Sequence, residues 1–297
     1  MTDWSHEMIA VDWGTSNRRA YLMGPDGTVL DRMEDDKGVA SLEQREFPSA
    51  VAEIERALGG RPMLLAGMIG SNRGWLEAPY VACPAAVSDL VGQVVWAEGG
   101  AKAIVPGLSY VEGGRGDVMR GEEVQIFGLM ALQGAARSLT VCHPGTHTKW
   151  ATTSDDRIDG FRTVMTGEMF GLLREHSILA PLLQGEVQPG DAFVRGVTAA
   201  YEGAGLTSAL FSLRSGPLLS LMPPEDALPM ASGLLIGADL REGLGWSKPR
   251  GEIIVLGRPS LTRLYAAAVD AVGGQAREVD GAEAFVAGMQ SIRRTLQ

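Results

Sequence analysis

Only two cysteines occur in 297 residues, Cys83 and Cys142. Neither lies on a Cys-x-x-Cys spacing, which excludes a disulfide framework and leaves the expectation of two buried, reduced thiols. Histidine is also sparse, with four in the chain. His143 and His147 are four apart, but on a strand and a turn and with no further ligands for zinc in sight. Basic residues are outnumbered, 26 Lys and Arg against 36 Asp and Glu, for a formal net charge of −10. A polyanion partner needs basic surface, so nucleic-acid binding is not expected. No apolar run approaches the roughly 20 residues of a bilayer span. The start of the chain, Met-Thr-Asp-Trp-Ser-His-Glu, lacks the basic and apolar regions of a signal peptide, and the expectation is a cytoplasmic protein. There is no GxxxxGK[ST] segment and no strand–GxGxxG–helix unit, so neither P-loop nor Rossmann chemistry is indicated.

What is present is a globular composition, 45% hydrophobic and 21% charged, enough for one or two good cores. Residues 8–13, 18–23 and 28–33 read as a β-meander with a turn at Pro25-Asp26-Gly27. A helix follows after Pro48, with Val51, Ile54 and Leu58 on one face, stopped by Gly59-Gly60. Residues 63–66 read as a buried strand running into a loop over 67–80, and 94–97 and 103–105 as further strands. Gly113-Gly114-Arg115-Gly116 reads as flexible punctuation, with a lobe boundary just before the helix at 122–132. Strands at 139–143, 148–153 and 161–165 then repeat the opening order about 130 residues later. The remainder is mostly helical (166–176, 192–201, 225–242, 259–272, 282–296), with strands at 253–256 and 276–279. Strands and helices alternate through both halves, which is the pattern of an α/β protein.

Two segments share one design. The first runs Asp12-Trp-Gly14-Thr15-Ser16-Asn17-Arg-Arg19, and the second His143-Pro-Gly145-Thr146-His147-Thr148-Lys149-Trp150. Each is an apolar strand, a small-residue turn with hydroxyls and a second strand. Backbone N–H groups in such a turn form a concave anion site, and hydroxyls add donors. Asp12, at a strand end, could hold a hydrated Mg²⁺. Taken alone, the first turn could equally be a plain hairpin.

The pair resembles the phosphate-1 and phosphate-2 motifs of the actin/hexokinase/Hsp70 superfamily. Gly67-Met-Ile-Gly70-Ser71-Asn72-Arg73-Gly74-Trp75, Asp117-Val-Met-Arg120-Gly121-Glu122-Glu123, the second turn, and Phe161-Arg162-Thr-Val-Met-Thr166-Gly167-Glu168 resemble the 2-dehydro-3-deoxygalactonokinase family, almost end to end. The resemblance implies two actin-like (ribonuclease H-like) lobes with a mixed sheet in each and an ATP cleft between them. Residues 1–118 would form the first lobe and 119–297 the second, the last helix packing back on the first. It implies ATP and Mg²⁺ as cofactors and phosphorylation of 2-dehydro-3-deoxy-D-galactonate at C6 in galactonate catabolism. The alternatives are a kinase for another sugar or sugar acid, and a non-catalytic regulator. A homo-oligomer is left open.

By the same resemblance, Gly14, Thr15, Ser16 and Asn17 would meet ATP phosphates in one lobe, and Gly145, Thr146, His147, Thr148 and Lys149 in the other. Lys149 is equally readable as an exposed strand residue. Gly237 and Gly257 would flank adenosine, although Gly237 could instead serve helix packing. For the general base the spacing points at Glu122 or its neighbour Glu123, and the nearest aspartate is Asp117, which is favoured as a loop residue next to a hinge at 113–116. Acidic residues in a first helical turn also have a structural use. Arg73 is the first choice for the substrate carboxylate, with Arg19 and Arg120 behind it. Ser71 and Asn72 would meet hydroxyls, and Trp75 the apolar face of the sugar.

Overall fold

The computed structural model describes residues 3–97, 99–134, 138–249 and 251–297. The chain forms two units. The first comprises Met1–Ser138, Thr153–Gly160 and Gly281–Gln297, and the second Leu139–Thr152 and Phe161–Asp280. This differs from a single boundary at 118. The helix that follows the glycine-rich segment lies in the first unit, packed against the C-terminal helix Gly281–Leu296.

In the first unit the elements are β1 (Met8–Trp13), β2 (Arg18–Met23), β3 (Val29–Asp35), α1 (Phe47–Leu58), β4 (Met63–Gly67), β5 (Tyr80–Ala82), β6 (Ala85–Ala86), α2 (Val87–Val91), β7 (Val95–Trp96), β8 (Lys102–Ile104), β9 (Gly107–Glu112), β10 (Arg115–Met119) and α3 (Glu122–Gln133). The main sheet runs β3-β2-β1-β4-β8-β7. β1, β2 and β3 are antiparallel, whereas β1, β4 and β8 are parallel. β3 is largely exposed and carries Asp31, Arg32, Glu34 and Asp35, charges that suit an edge strand. β1 and β4 are central and apolar. Ile9, Val11, Trp13, Met63 and Leu65 meet Phe47, Val51, Ile54 and Leu58 of α1. Each such side chain contributes about 1.5–3 kcal/mol when fully buried. α3 and the C-terminal helix approach at Gly128 and Gly288. A Cβ at Gly128 would fall 1.7 Å from the Ala284 carbonyl oxygen, so the crossing needs a residue without a side chain.

The second unit contains β11 (Leu139–His143), most of β12 (Thr148–Ser154), the second half of β13 (Arg157–Val164), α4 (Thr166–His176), α5 (Asp191–Tyr201), α6 (Leu206–Leu218), α7 (Ala227–Ser247), β14 (Ile253–Gly257), α8 (Pro259–Ala271) and β15 (Ala276–Asp280). Its strands run β15-β14-β11-β12-β13. β11, β14 and β15 are parallel. The order β13-β12-β11-β14-β15 matches β3-β2-β1-β4-β8, so the repeat seen in the sequence is a repeat of sheet topology. The core joins Cys142, Trp150, Val255 and Tyr265 to Phe193, Val197, Ile236 and Leu240. Cys142 is buried, while Cys83 is only partly so. Among the described residues no helix is long and apolar enough to cross a membrane.

Candidate functional site

Each unit gathers candidate residues at the ends of its parallel strands, where open α/β sheets bind ligands. In the first unit β1 ends at Asp12-Trp13, and Gly14 N–H closes the turn on Asn17 O at 2.9 Å. Thr15 and Ser16 are exposed on the turn. Beneath them the segment at 38–40 supports the backbone. Val39 N–H donates to Gly14 O and Ala40 N–H to Thr15 O. A Cβ at Gly38 would lie 2.2 Å from the Thr15 carbonyl oxygen. Gly38→Val is therefore expected to cost about 1–3 kcal/mol by overpacking, as thermal melting will read. Nothing local in the sequence marks Gly38, because its contacts are more than twenty residues away.

Arg18 fixes the same segment. Its guanidinium is buried, donates to Asp35, Glu53 and the Ala50 carbonyl, and lies 5.0 Å from the Trp13 ring centroid. Arg19 faces Asp12 across the β1–β2 pair, and its Nη2 donates to Asp12 Oδ2 at 2.5 Å. Arg19 thus already has a carboxylate partner on the protein. Among the described residues no group of three His, Cys, Asp or Glu could hold a metal.

β4 ends at Gly67, whose φ is +93°, and a Cβ there would lie 2.7 Å from the Trp13 carbonyl oxygen. Gly121, at φ +108°, packs against Gly67, so the start of α3 meets the ends of β1 and β4. Glu123 is fully buried and takes the Gly121 N–H on both carboxyl oxygens, at 2.8 and 2.7 Å. Burial, with the adjacent Glu122 charge adding, pushes the Glu123 carboxyl up to about 8. Glu122 is half-buried in the first turn of α3, and its Oε2 accepts the Arg120 N–H at 3.1 Å.

Arg120 is buried. Its Nη2 donates to Ala78 O at 2.7 Å, and its guanidinium carbon lies 4.3 Å from the Tyr80 ring centroid. It thus ties the loop at 68–79 to the start of α3. Within that loop Ser71 is buried and its Oγ accepts the Arg73 N–H, while the Asn72 and Arg73 side chains are exposed. Trp75 packs on the core beneath β1 and β4.

Asp117 stands apart. Gly113 and Gly114, at φ +58° and +80°, form the two-residue turn of the β9–β10 hairpin. Asp117 lies on β10 opposite Tyr110, and its Oδ1 accepts the Val118 N–H. The segment 113–116 is therefore a hairpin within the first unit rather than a hinge, and Asp117 is a strand residue rather than a loop residue. The reason for favouring it as the base is withdrawn.

In the second unit the turn after β11 exposes Thr146 and His147. The start of α4 packs directly on it: Glu168 N–H donates to Thr146 O, and a Cβ at Gly167 would lie 2.3 Å from Gly145 O. His147 Nε2 lies 2.5 Å from Glu168 Oε2. Thr148 and Lys149 turn inward and are buried. Lys149 is thus not the exposed strand residue of one reading, and Thr148 spends its hydroxyl on Tyr265 OH at 2.8 Å. A cavity of about 400 Å³ opens beside the turn, lined in part by Gly145, Thr166, Gly167, Ser232 and Tyr265, a volume suited to a small-molecule ligand. Gly237 does not line it. A Cβ there would fall 2.2 Å from the Val197 carbonyl oxygen, so this glycine serves the packing of α7 on α5. Gly257 ends β14, next to Pro144 at the base of the turn.

A residue to which sequence reasoning assigns no role is Asp239. It is fully buried on α7 and accepts hydrogen bonds from Trp150 Nε1, Thr166 Oγ1 and Tyr265 OH. Burial raises its carboxyl above the ordinary range, and those bonds pull against the rise. The available signal was a carboxylate closing an apolar stretch of α7, Leu-Leu-Ile-Gly-Ala-Asp-Leu.

A family model described as 2-keto-3-deoxy-galactonokinase matches residues 12–292. The 2-dehydro-3-deoxygalactonokinase of Escherichia coli (strain K12) is 36% identical over 292 residues, covering 96% of each chain. The probable 2-dehydro-3-deoxygalactonokinase DgoK1 of Rhizobium meliloti (strain 1021) is 35% identical over 300 residues, 97% of this chain and 96% of that one. A crystal structure of a Sinorhizobium meliloti protein assigned to the same activity superposes with a TM-score of 0.90 at 35% identity, over 97% of this chain and 98% of that one. The activator of 2-hydroxyisocaproyl-CoA dehydratase from Clostridium difficile, solved with ADPNP, gives 0.53 at 8% identity over 97% and 94%, a likeness of fold alone. The fold is thus α/β of the actin-like kind, with a mixed sheet in each unit. With both turns and the loop at 67–80 inside the matched span, the chain belongs to the 2-keto-3-deoxy-galactonokinase family of sugar-acid kinases.

Proposed function

We propose that this chain transfers the γ-phosphoryl group of ATP to the C6 hydroxyl of 2-dehydro-3-deoxy-D-galactonate, in galactonate catabolism. The observation that carries this is the near full-length match to the family, which spans every candidate site. In this reading the second-unit cavity takes the nucleoside, and Gly257 lies at the base of the turn beside it. The turn at 145–147 and the start of α4 meet its phosphates, and Gly14, Thr15, Ser16 and Asn17 offer backbone and hydroxyl donors to phosphate in the first unit. Asp12 would hold Mg²⁺, which would supply positive charge to the transferring oxygens.

Glu122 takes the proton of the C6 hydroxyl as O6 bonds to phosphorus and the bond to the ADP oxygen breaks. Its support is its place at the junction of β1, β4 and α3, which Asp117 does not share. Arg73 binds the substrate carboxylate. Arg19 is engaged with Asp12, and Arg120 acts by holding the loop. Ser71, Asn72 and Trp75 shape the sugar side.

Arg73→Ala is expected to raise the KM for the sugar acid about 30-fold, the equivalent of about 2 kcal/mol, with ATP affinity unchanged. Initial rates against each substrate decide it, and an unchanged sugar-acid KM would move the role elsewhere. The function itself is tested by ADP release across a panel of keto-deoxy sugar acids, aldonic acids and free hexoses. Release with 2-dehydro-3-deoxy-D-galactonate above all others is expected. Release with a free hexose alone would contradict the proposal.

A further inference from the structure

We propose that Asp239 is the positioning residue that shapes the second-unit cavity and the turn beside it, and through them sets nucleotide affinity. This rests on the assignment of that cavity to ATP. Asp239 joins four elements at one buried carboxyl group. Oδ1 accepts the Trp150 indole N–H at 2.7 Å, from β12. Oδ2 accepts Thr166 Oγ1, the first residue of α4, at 2.5 Å, and Tyr265 OH, from α8, at 2.5 Å. Tyr265 OH, having donated its proton, accepts from Thr148 Oγ1, the residue that leaves the turn. Thr166 and Tyr265 line the cavity, so half of the network forms its wall. The Trp150 ring also packs against Gly243 of α7, where a Cβ would lie 2.1 Å from the ring.

A buried carboxyl group is a poor choice for stability alone, because apolar residues of similar volume often do as well or better. Its use is directional. An ionised carboxylate only accepts, and it can satisfy several donors converging from different elements. The donors here are an indole and hydroxyls, so bond geometry rather than a neighbouring cation fixes the arrangement. Asparagine would keep the shape but offer one acceptor oxygen and turn an NH₂ toward a donor. The cavity wall and the start of α4 would then lose a common anchor, while the sugar-acid loop, in the other unit, would keep its own.

The test uses Asp239→Asn, Tyr265→Phe and Thr166→Val in the full-length protein. ADP binding is read by calorimetry, both KM values by kinetics, and folding by thermal melting. Each variant is expected to weaken ADP binding and raise the ATP KM about tenfold, with the sugar-acid KM within about twofold. The double variant Asp239→Asn/Tyr265→Phe should be no worse than Asp239→Asn alone, because the two act as one unit. Lower melting points with a wild-type ADP Kd in the folded protein would overturn the proposal. Should Asp239→Asn fail to fold, Tyr265→Phe, which removes one hydroxyl, decides alone. Ser232→Trp, which fills the cavity, separates the two claims. If it leaves ADP binding intact, the cavity assignment fails and this inference with it. If it abolishes binding while Tyr265→Phe is silent, only the positioning role fails.

Discussion

Replacing Glu122 by glutamine is expected to lower kcat by about 10²- to 10⁴-fold, the usual contribution of a general base, while both substrates still bind. The change keeps size and removes only the charge. The side chain stands in the first turn of α3, half-buried, where Gly121 packs against Gly67 at the end of β4. Its neighbour Glu123 is sealed in the interior and holds Gly121. Glu123 thus holds the backbone at the start of α3, and Glu122, which accepts the Arg120 N–H, stands beside it in the first turn. Asp117→Asn should change kcat by no more than a few-fold, because Asp117 lies on the β9–β10 hairpin. Steady-state rates together with calorimetric binding of each substrate check both variants. A dead Asp117→Asn with an active Glu122→Gln would reverse the assignment. If both stay active, the base lies outside this segment.

Asp12→Ala should leave the fold intact and lower kcat by roughly 10²- to 10³-fold, the scale of losing one preorganised electrostatic partner of the transition state. Asp12 sits at the end of β1 beside the Gly14-Thr15-Ser16 turn, and its pairing with Arg19 keeps it oriented. The loss should not be recovered at high Mg²⁺. Near wild-type turnover at saturating Mg²⁺ would contradict the role. Arg19→Gln separates the pair. If Asp12 acts only as a partner of Arg19, the two variants should lose equally. If it acts on the metal, Arg19→Gln should be the milder and should show a raised Mg²⁺ requirement.

Much of the fold could be read from periodicity, because the strands and helices with clear patterns are also those that make the cores. β1, β2 and α1 fall where alternation and the spacing of Val51, Ile54 and Leu58 put them. α6 did not stand out. Its Leu, Ser, Gly and Pro residues show no strong face, and Phe211 and Leu218 remain exposed. The β9–β10 hairpin was legible in principle, since Gly-Gly between strand-like segments is a hairpin signal. The sequence alone does not separate a hairpin from a hinge there, because glycine serves both. At the site, the two turns were visible as local motifs. Which face of β12 points inward was not, because both faces are covered and Thr148, Lys149 and Trp150 are all buried. Gly38 and Asp239 escaped for a common reason. Their roles exist only through contacts distant in sequence, Thr15 for the first and Trp150, Thr166 and Tyr265 for the second.

The central claim is a phosphoryl transfer to one named oxygen, and the product tests it most directly. The purified protein, ATP, Mg²⁺ and 2-dehydro-3-deoxy-D-galactonate are incubated to completion, and the phosphorus and carbon resonances of the product are recorded by NMR. One equivalent of ADP and a single phosphate monoester whose phosphorus couples to C6 are expected. A phosphate on another carbon, or ADP formed with no phosphorylated sugar acid, would contradict it.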